Sequence, residues 1–482
     1  MSIVSISRAV SINAAADPER MAITCGERSI TRRELERRTN RLARQFAALG
    51  VTRGRYVTIA LPNSVEFYEA AIAAWKLGAT PQPVSHRLPD RERQAIVDLA
   101  DPALVVGADP AAHPNHTVLA LLPDEDPSID DGELPDVVSP SWKAPTSGGS
   151  TGRPKLIVAG DPGVIDLGTP SNGIKVDGTV AVPGPLYHNA PFAFSCQALF
   201  QGNHVTVLPK FDAEAALALI EQHGADWILL VPTMMLRIWR LPNEVRERYD
   251  VSSLETVWHM AAPCPPWLKQ AWIEWFGGEK IWELYAGTEA QAVTIIRGDE
   301  WMAHRGSVGR CLVGEMKILD PETFTEQPAG TEGEVFMRSN RDTPTYHYLG
   351  AEVRTSPDGW ESLGDMGWID AEGYVYLGDR RADMILAGGA NIYPAEVEAA
   401  IDEHPAVRSC AVLGLPDDDL GSRIHAIIHA SAPVEVDELR SFLAERLVRY
   451  KIPRTFEFTD EPLRDDAGKV RRSALTAERT RN

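Results

Sequence analysis

From Thr146 to Lys155 the chain reads TSGGSTGRPK. Glycines at 148, 149 and 152 let a backbone turn so that successive N–H groups converge on phosphate oxygens. Ser150 and Thr151 add hydroxyl donors, and Lys155 adds a positive charge. Pro154 stands where a Walker A loop needs glycine before its lysine, so that pattern is excluded. The same composition also describes a bare flexible loop, and the surrounding chain has to decide between the two.

Upstream, residues 101–145 are rich in Pro, Asp and Ala and lack strong periodicity, as expected of surface connections. Before them, helix and strand signals alternate. Thr31 and Glu34 have capping-box spacing ahead of Leu35, Leu42, Phe46 and Leu49, and Gly50 marks a stop. A strand YVTIAL, a helix from Ser64 to Leu77 and a strand around Thr80 to Val84 follow. Such alternation predicts layered α/β architecture with partly parallel sheets. Further on, WILLVPTMMLRIW (Trp227 to Trp239) reads as a buried strand running into a helix, because it contains Arg237 and is too short to span a bilayer.

The chain has 482 residues, 44% of them hydrophobic and 24% charged. That is globular composition and too much for one ordinary core, so two or more domains are expected. With 48 basic against 68 acidic residues the net charge is -20, which disfavours nucleic acid and anionic membrane as partners. A small anionic substrate remains compatible, since a few local cations suffice inside a cleft. Five dispersed cysteines without metal-ligand spacing suggest neither a disulfide framework nor a zinc site. A reducing cytoplasm is the simplest setting. The first residues show no basic region followed by an apolar run, so no signal peptide is expected. A homodimer is left open.

A second boundary is expected near Gly378 to Asp383, where GDRRAD interrupts the pattern, dividing the chain into 1–379 and 380–482. The C-terminal part reads as a small mobile α+β unit. It has a helix opening at Pro394, strands in SCAVLGL and RIHAIIHA, and a helix over about 436–450 with Leu439, Phe442, Leu443, Leu447 and Tyr450 on one face.

Five more motifs follow TSGGSTGRPK in order: LYHNAPF (Leu186 to Phe192), WELYAGTEA (Trp282 to Ala290), SLGDMGWID (Ser362 to Asp370), DRRADMILAGGANIYPAEVE (Asp379 to Glu398) and DDAGKVRRSAL (Asp465 to Leu475). Together they resemble the adenylate-forming superfamily of acyl-CoA synthetases, luciferase and peptide-synthetase adenylation domains, and the resemblance covers essentially the whole chain. It implies a large N-terminal AMP- and acyl-binding domain and a mobile C-terminal domain. ATP with magnesium would activate a carboxylic acid as an acyl-adenylate, and coenzyme A would then take the acyl group.

Residue by residue, the resemblance implies a phosphate loop at Ser147, Gly148, Gly149, Ser150, Thr151, Gly152 and Lys155. Tyr285 would lie against the adenine, with Ala262, Pro263, Glu283 and Leu284 nearby. Thr288 would sit near the α-phosphate and Glu289 on magnesium, since a hydroxyl and a carboxylate are groups a metal nucleotide requires. Asp365 would accept the ribose hydroxyls, with Arg380 as its partner. His188 matches an acyl-site position, either gating the carboxylate or filling a wall. Asn189, Met260, Ala261, Ala286 and Gly287 are the other acyl-binding candidates. Lys469 resembles a lysine that bridges the substrate carboxylate and the α-phosphate. Two such anions about 4 Å apart repel by roughly 4 kcal/mol at an effective dielectric of 20. After adenylation the small domain would rotate about Ala382 and bring Gly388 and Gly389 to the pantetheine.

Two positions depart from the family pattern. Gly148 stands where many such loops carry a hydroxyl, and Ala382 where Asp or Lys is usual at the hinge. A chain that only makes the thioester from a supplied adenylate is therefore a second expectation, and a non-catalytic nucleotide- or acyl-binding protein on the same scaffold a third. Small or adaptable residues at the candidate acyl site, Met234 and Met235 included, favour an aryl, alicyclic or fatty acid over an amino acid.

Overall fold

The computed structural model describes residues 3–148, 154–170, 172–381, 383–387, 390–417, 421–465 and 468–480, with backbone only at 147, 148, 379, 380, 390 and 391. Its largest sheet has a parallel half and an antiparallel half. In spatial order the parallel half runs Met21–Cys25, His204–Val207, Thr179–Val182, Trp227–Leu230, Thr256–Met260 and Ile281–Ala286. From Ile281–Ala286 onward the pairing alternates through Val293–Arg297, Ser307–Val313, Tyr374–Arg380, Glu361–Ile369, Gly333–Arg338 and Glu315–Leu319. The parallel strands are near-continuous apolar runs covered by helices, which is how a parallel sheet avoids exposing apolar area.

A second, four-stranded parallel sheet holds Thr80–Pro83, Tyr56–Ile59, Leu104–Val106 and Val118–Leu119. The helix Arg32–Ala48 starts at the expected capping box, and Val65–Lys76 starts at Ser64, whose side chain accepts from the Phe67 N–H. Every residue of Val65–Lys76 except Glu66 is buried, and its Trp75 stacks on Phe192 at 5.9 Å. Phe192 in turn stacks on Trp142 at 6.3 Å, and Trp75 Nε1 donates to the Trp142 carbonyl at 2.8 Å. This aromatic stack fixes the chain just before the glycine-rich segment. A third, antiparallel sheet carries that segment: Thr146–Gly148 pairs with Pro154–Ala159, which pairs with Tyr346–Leu349. Trp227–Leu230 runs into the helix Pro232–Trp239, as the sequence suggests, with proline at the first helical position where its missing N–H is harmless.

The C-terminal unit has its own core, built from the strands Val407–Asp417, Gly421–Ala430 and Thr455–Thr459 and the helices Pro394–Asp402 and Val436–Ala444. The last of these is shorter than expected. It ends at Ala444, and Tyr450 lies in a separate 3₁₀ turn, 59% exposed rather than on the buried face. Leu439 and Leu443 are buried as expected. Leu447 still packs on the core, but Val448 has extended backbone, so Tyr450 no longer follows the helical face. Arg240, capping Pro232–Trp239, donates to the Asp402 carbonyl at 2.8 Å and ties the C-terminal unit to the larger one.

Candidate active site

The candidate residues cluster where ligands bind in open α/β sheets, beyond the carboxyl ends of parallel strands. Met260 ends one strand and is buried, and Ala261 follows it with φ +74, a left-handed backbone that is uncommon outside glycine. Ala262 and Pro263 continue that loop. The neighbouring strand, paired in parallel, ends at Ala286 and leads into Gly287, Thr288 and Glu289. His188 and Asn189 follow the next-but-one strand end and open the helix Asn189–Phe200, with His188 as its N-cap and its ring 4.5 Å from that of Tyr187.

Two contacts join motifs that are far apart in the chain. The Tyr285 hydroxyl donates to Asp365 Oδ2 at 2.7 Å. Asp365 faces Arg380 across the Glu361–Ile369 and Tyr374–Arg380 strands, so backbone register brings those two positions together. Lys155 Nζ lies 3.4 Å from Glu289 Oε1. The register that sets Lys155 opposite Ser147 carries Lys155 out of the glycine-rich hairpin toward Glu289.

Glu289 is 5% exposed. Its Oε1 also accepts from the Tyr348 hydroxyl at 2.5 Å, and Lys155 Nζ sits 4.0 Å over the Tyr348 ring. Burial first, and then the Glu289 charge, hold the Tyr348 phenol well above its ordinary range, so it stays a donor. Oε2 of Glu289 carries no hydrogen bond among the described residues, and a Cβ added at Gly287 would stand 2.8 Å from it. One carboxylate oxygen left open beside a glycine fits a magnesium ion, which keeps most of its shell for water and phosphate oxygens. Among the described residues no group of three or more His, Cys, Asp or Glu forms an all-protein metal cage.

Glu283 and Leu284 differ from the sequence reading. Glu283 is buried and paired with Lys269, itself 1% exposed, with His259 Nδ1 at 3.9 Å. Leu284 packs against the main apolar core. A buried carboxylate must keep its cation, which holds the Glu283 side chain on Lys269, while Leu284 is half-buried.

Lys469 is exposed, with its N–H donating to Asp465 Oδ1 at 2.9 Å. The preceding Gly468 packs against Thr233 at the start of the Pro232–Trp239 helix, so closely that a Cβ would stand 2.7 Å from Thr233 Oγ1. The Lys469 loop therefore reaches the same end of the parallel sheet as the other candidates. Gly149, Ser150, Thr151, Gly152, Ala382, Gly388 and Gly389 lie outside the described residues, and Ser147, Gly148 and Arg380 are described by backbone alone.

Three residues were not found by sequence reasoning. Tyr348 belongs to no quoted stretch and Thr233 lies in WILLVPTMMLRIW with no role given to it; strand pairing and domain contact recruit them. Lys143 is 7% exposed, donates to Asn189 Oδ1, and has its ammonium 4.4 Å over the Trp142 ring. Burial pushes it down to about 7, opposed by charges that include Asp161 and Glu289. A lysine beside a tryptophan just before the glycine-rich segment was the one available signal.

Residues 10–347 match the family described as AMP-binding enzyme, and residues 396–469 match the AMP-binding enzyme C-terminal domain. A feruloyl-CoA synthase from Amycolatopsis sp is 30% identical over 478 residues, covering 94% of each chain. A 2-succinylbenzoate–CoA ligase from Bacillus cereus is 27% identical over 469 residues, covering 95% of each. Among solved structures, an o-succinylbenzoate CoA synthetase from Bacillus subtilis in complex with its acyl-adenylate intermediate superposes with a TM-score of 0.81 at 24% identity, covering 98% of each chain. That likeness concerns the fold.

Proposed function

This chain belongs to the AMP-binding enzyme family, and from that premise we propose that it is an AMP-forming acyl-CoA ligase acting on a hydrophobic, aryl-type carboxylic acid. It uses ATP with magnesium and coenzyme A. The observation that carries the reading is the meeting of Lys155 with Glu289 and of Tyr285 with Asp365 at one end of the parallel sheet.

The chemistry divides into two displacements. In the first, a carboxylate oxygen of the acid attacks the α-phosphorus of ATP, the bond to the bridging oxygen breaks, and pyrophosphate leaves with that electron pair. Magnesium, when bound, offsets phosphate charge. Lys155 and Lys469 supply the remaining cations, Thr288 a hydroxyl donor, and Asp365 with Arg380 the hold on the ribose. In the second, the coenzyme A sulfur attacks the acyl carbonyl carbon, the carbon–oxygen bond to AMP breaks, and the thiol proton is lost to solvent. No covalent enzyme–acyl link is required. All five cysteines are free thiols, and the three buried ones are Cys25, Cys196 and Cys410.

An aryl acid is supported by the similarity to a feruloyl-CoA synthase and a 2-succinylbenzoate–CoA ligase, both named for aryl acids. Rotation of the C-terminal unit about Ala382, with Gly388 and Gly389 entering for the second step, is part of the proposal. It is supported by the separate core of that unit and its polar junction with the larger one. So is a cytoplasmic location, supported by the free thiols. No helix among the described residues is long and apolar enough to cross a membrane.

The test is ATP–pyrophosphate exchange with benzoic, cinnamic, cyclohexanecarboxylic and octanoic acids, followed by thioester formation from coenzyme A and the synthetic adenylate of each. Exchange with at least one acid is expected, and its absence with all four alongside active transfer selects the thioester-only reading. Lys469→Ala is expected to abolish exchange and leave transfer within about threefold, because only the first step brings two anions together.

A further inference from the structure

The loop that carries Lys469 is held from behind by a buried carboxylate outside the site described above. Glu398, on the helix Pro394–Asp402, is 4% exposed. Its Oε2 accepts from Arg464 Nη2 at 2.6 Å, and its Oε1 from Arg472 Nη2 at 2.7 Å and from the Val412 N–H at 2.9 Å. Arg464 spends a second arm elsewhere, donating from Nη1 to the Gly468 carbonyl at 3.0 Å. That carbonyl belongs to the peptide that leads into Lys469. Arg472 likewise reaches Asp383 at 3.4 Å, the residue next to the hinge candidate Ala382.

The loop is closed on itself as well. The Lys469 N–H donates to Asp465 Oδ1, the Asp465 N–H to the Lys469 carbonyl, and the Gly468 N–H to the Asp465 carbonyl, each at 2.9 Å. Gly468 has φ +76 and sits against Thr233. The peptide before Lys469 is therefore gripped on two sides, by Arg464 within its own unit and by Thr233 of the larger one.

Stability alone does not account for this arrangement, because a buried ion pair gains little over apolar residues of the same volume. Its planar fork lets one guanidinium satisfy a carboxylate and a carbonyl at fixed angles, which an ammonium cannot do. A flexible lysine that must meet two anions benefits when its backbone is fixed beforehand, since less freedom is lost at the moment of reaction.

We infer that Arg464, anchored on Glu398, is a positioning residue for the adenylation step: it fixes the Gly468–Lys469 peptide so that the lysine enters the site in one orientation. The shared Glu398 makes the Lys469 loop and the segment after the hinge candidate move as one body. This inference rests on the role proposed above for Lys469.

The experiment compares Arg464→Met, Arg464→Lys and Lys469→Ala in the full chain. It uses whichever of the four acids gives the fastest exchange, and the synthetic adenylate of that acid. Arg464→Met is expected to lower kcat for pyrophosphate exchange about 10- to 100-fold, the loss of a charge-assisted hydrogen bond. The KM for ATP and the rate of transfer from the adenylate should stay within about threefold, as expected when an interaction made in one transition state is removed. Arg464→Lys should recover part of the exchange rate, and it carries the test if the methionine variant does not fold. Equal loss in both half-reactions would make Arg464 a structural brace and overturn the inference, as would unchanged exchange in a folded variant or an effect confined to KM. If Lys469→Ala itself leaves exchange intact, the proposed role of that lysine fails instead.

Discussion

Tyr348 shows how a residue outside every motif comes to matter. Its hydroxyl is 2.5 Å from Glu289 Oε1, its ring lies under the Lys155 ammonium, and its phenol stays protonated beside that carboxylate. It thereby fixes Glu289 through Oε1. Tyr348→Phe keeps the ring and removes the donor. Adenylation should fall about 10-fold, with a higher magnesium requirement, because a hydrogen bond to a charged acceptor contributes roughly 1.5–3 kcal/mol. Pyrophosphate exchange titrated with magnesium checks this, and an unchanged magnesium profile would remove Tyr348 from the site. Lys143 carries a pH signature. Burial lowers it from 10.5 to about 7, so between those values the unfolded chain binds a proton that the folded chain lacks. Stability therefore rises as pH climbs through that window, and the burial penalty is fully present below pH 7. Lys143→Met should stabilise the protein more at pH 6.5 than at pH 9.5. The difference is on the order of 2–3 kcal/mol, read from denaturant melts at the two pH values. A pH-independent gap would mean that Lys143 binds its proton equally well in the folded and unfolded chain.

At the scale of elements, strand pairing turns separate motifs into neighbours. The Glu361–Ile369 and Tyr374–Arg380 strands pair with a register shift between Asp365 and Gly367. A Cβ at Gly367 would stand 2.2 Å from the Tyr376 carbonyl. The bare glycine lets the two strands approach there, and the shift beside it sets Asp365 opposite Arg380. Gly367→Ala should destabilise the protein by about 2 kcal/mol or more, since the obstructing atom is backbone. It should also weaken AMP binding, measured by calorimetry, more than a surface substitution of equal destabilisation. Equal effects on AMP binding would detach the bulge from the site. Sequence signals identified many of these elements directly, because their information is local. The Thr31 and Glu34 capping box and the strand before Pro232 involve residues within a few positions of each other. The helix end at Ala444 was missed for the complementary reason: apolar spacing continues past it, while the backbone does not.

Across the whole molecule, polar contacts among the described residues join the two units. Arg240 donates to the Asp402 carbonyl at 2.8 Å, Arg471 meets Glu92 at 3.3 Å, and Gly468 lies on Thr233. Contacts of this kind suit an orientation that must form and release, since polar groups can exchange a partner for water. Arg240→Ala should slow adenylation several-fold, leave transfer from a supplied adenylate unchanged or faster, and broaden the inter-unit distances seen by fluorescence energy transfer. Equal slowing of both steps would argue that Arg240 only supports the fold. The sequence by itself determined the α/β class and the order of the motifs, and the family resemblance those motifs carry singled out Lys155, Tyr285, Glu289, Asp365 and Lys469 as candidates. Composition, spacing and local capping are properties of neighbouring residues, and they survive in a linear reading. Only the tertiary structure decided which groups meet. Lys155 and Glu289 are 134 positions apart, and Tyr285 and Asp365 are 80. It turned Glu283 toward Lys269, and it recruited Tyr348, Thr233, Lys143 and Arg464. Sheet register and burial are collective, so the partner of a charge is fixed by the packing of the whole chain rather than by the residues on either side of it.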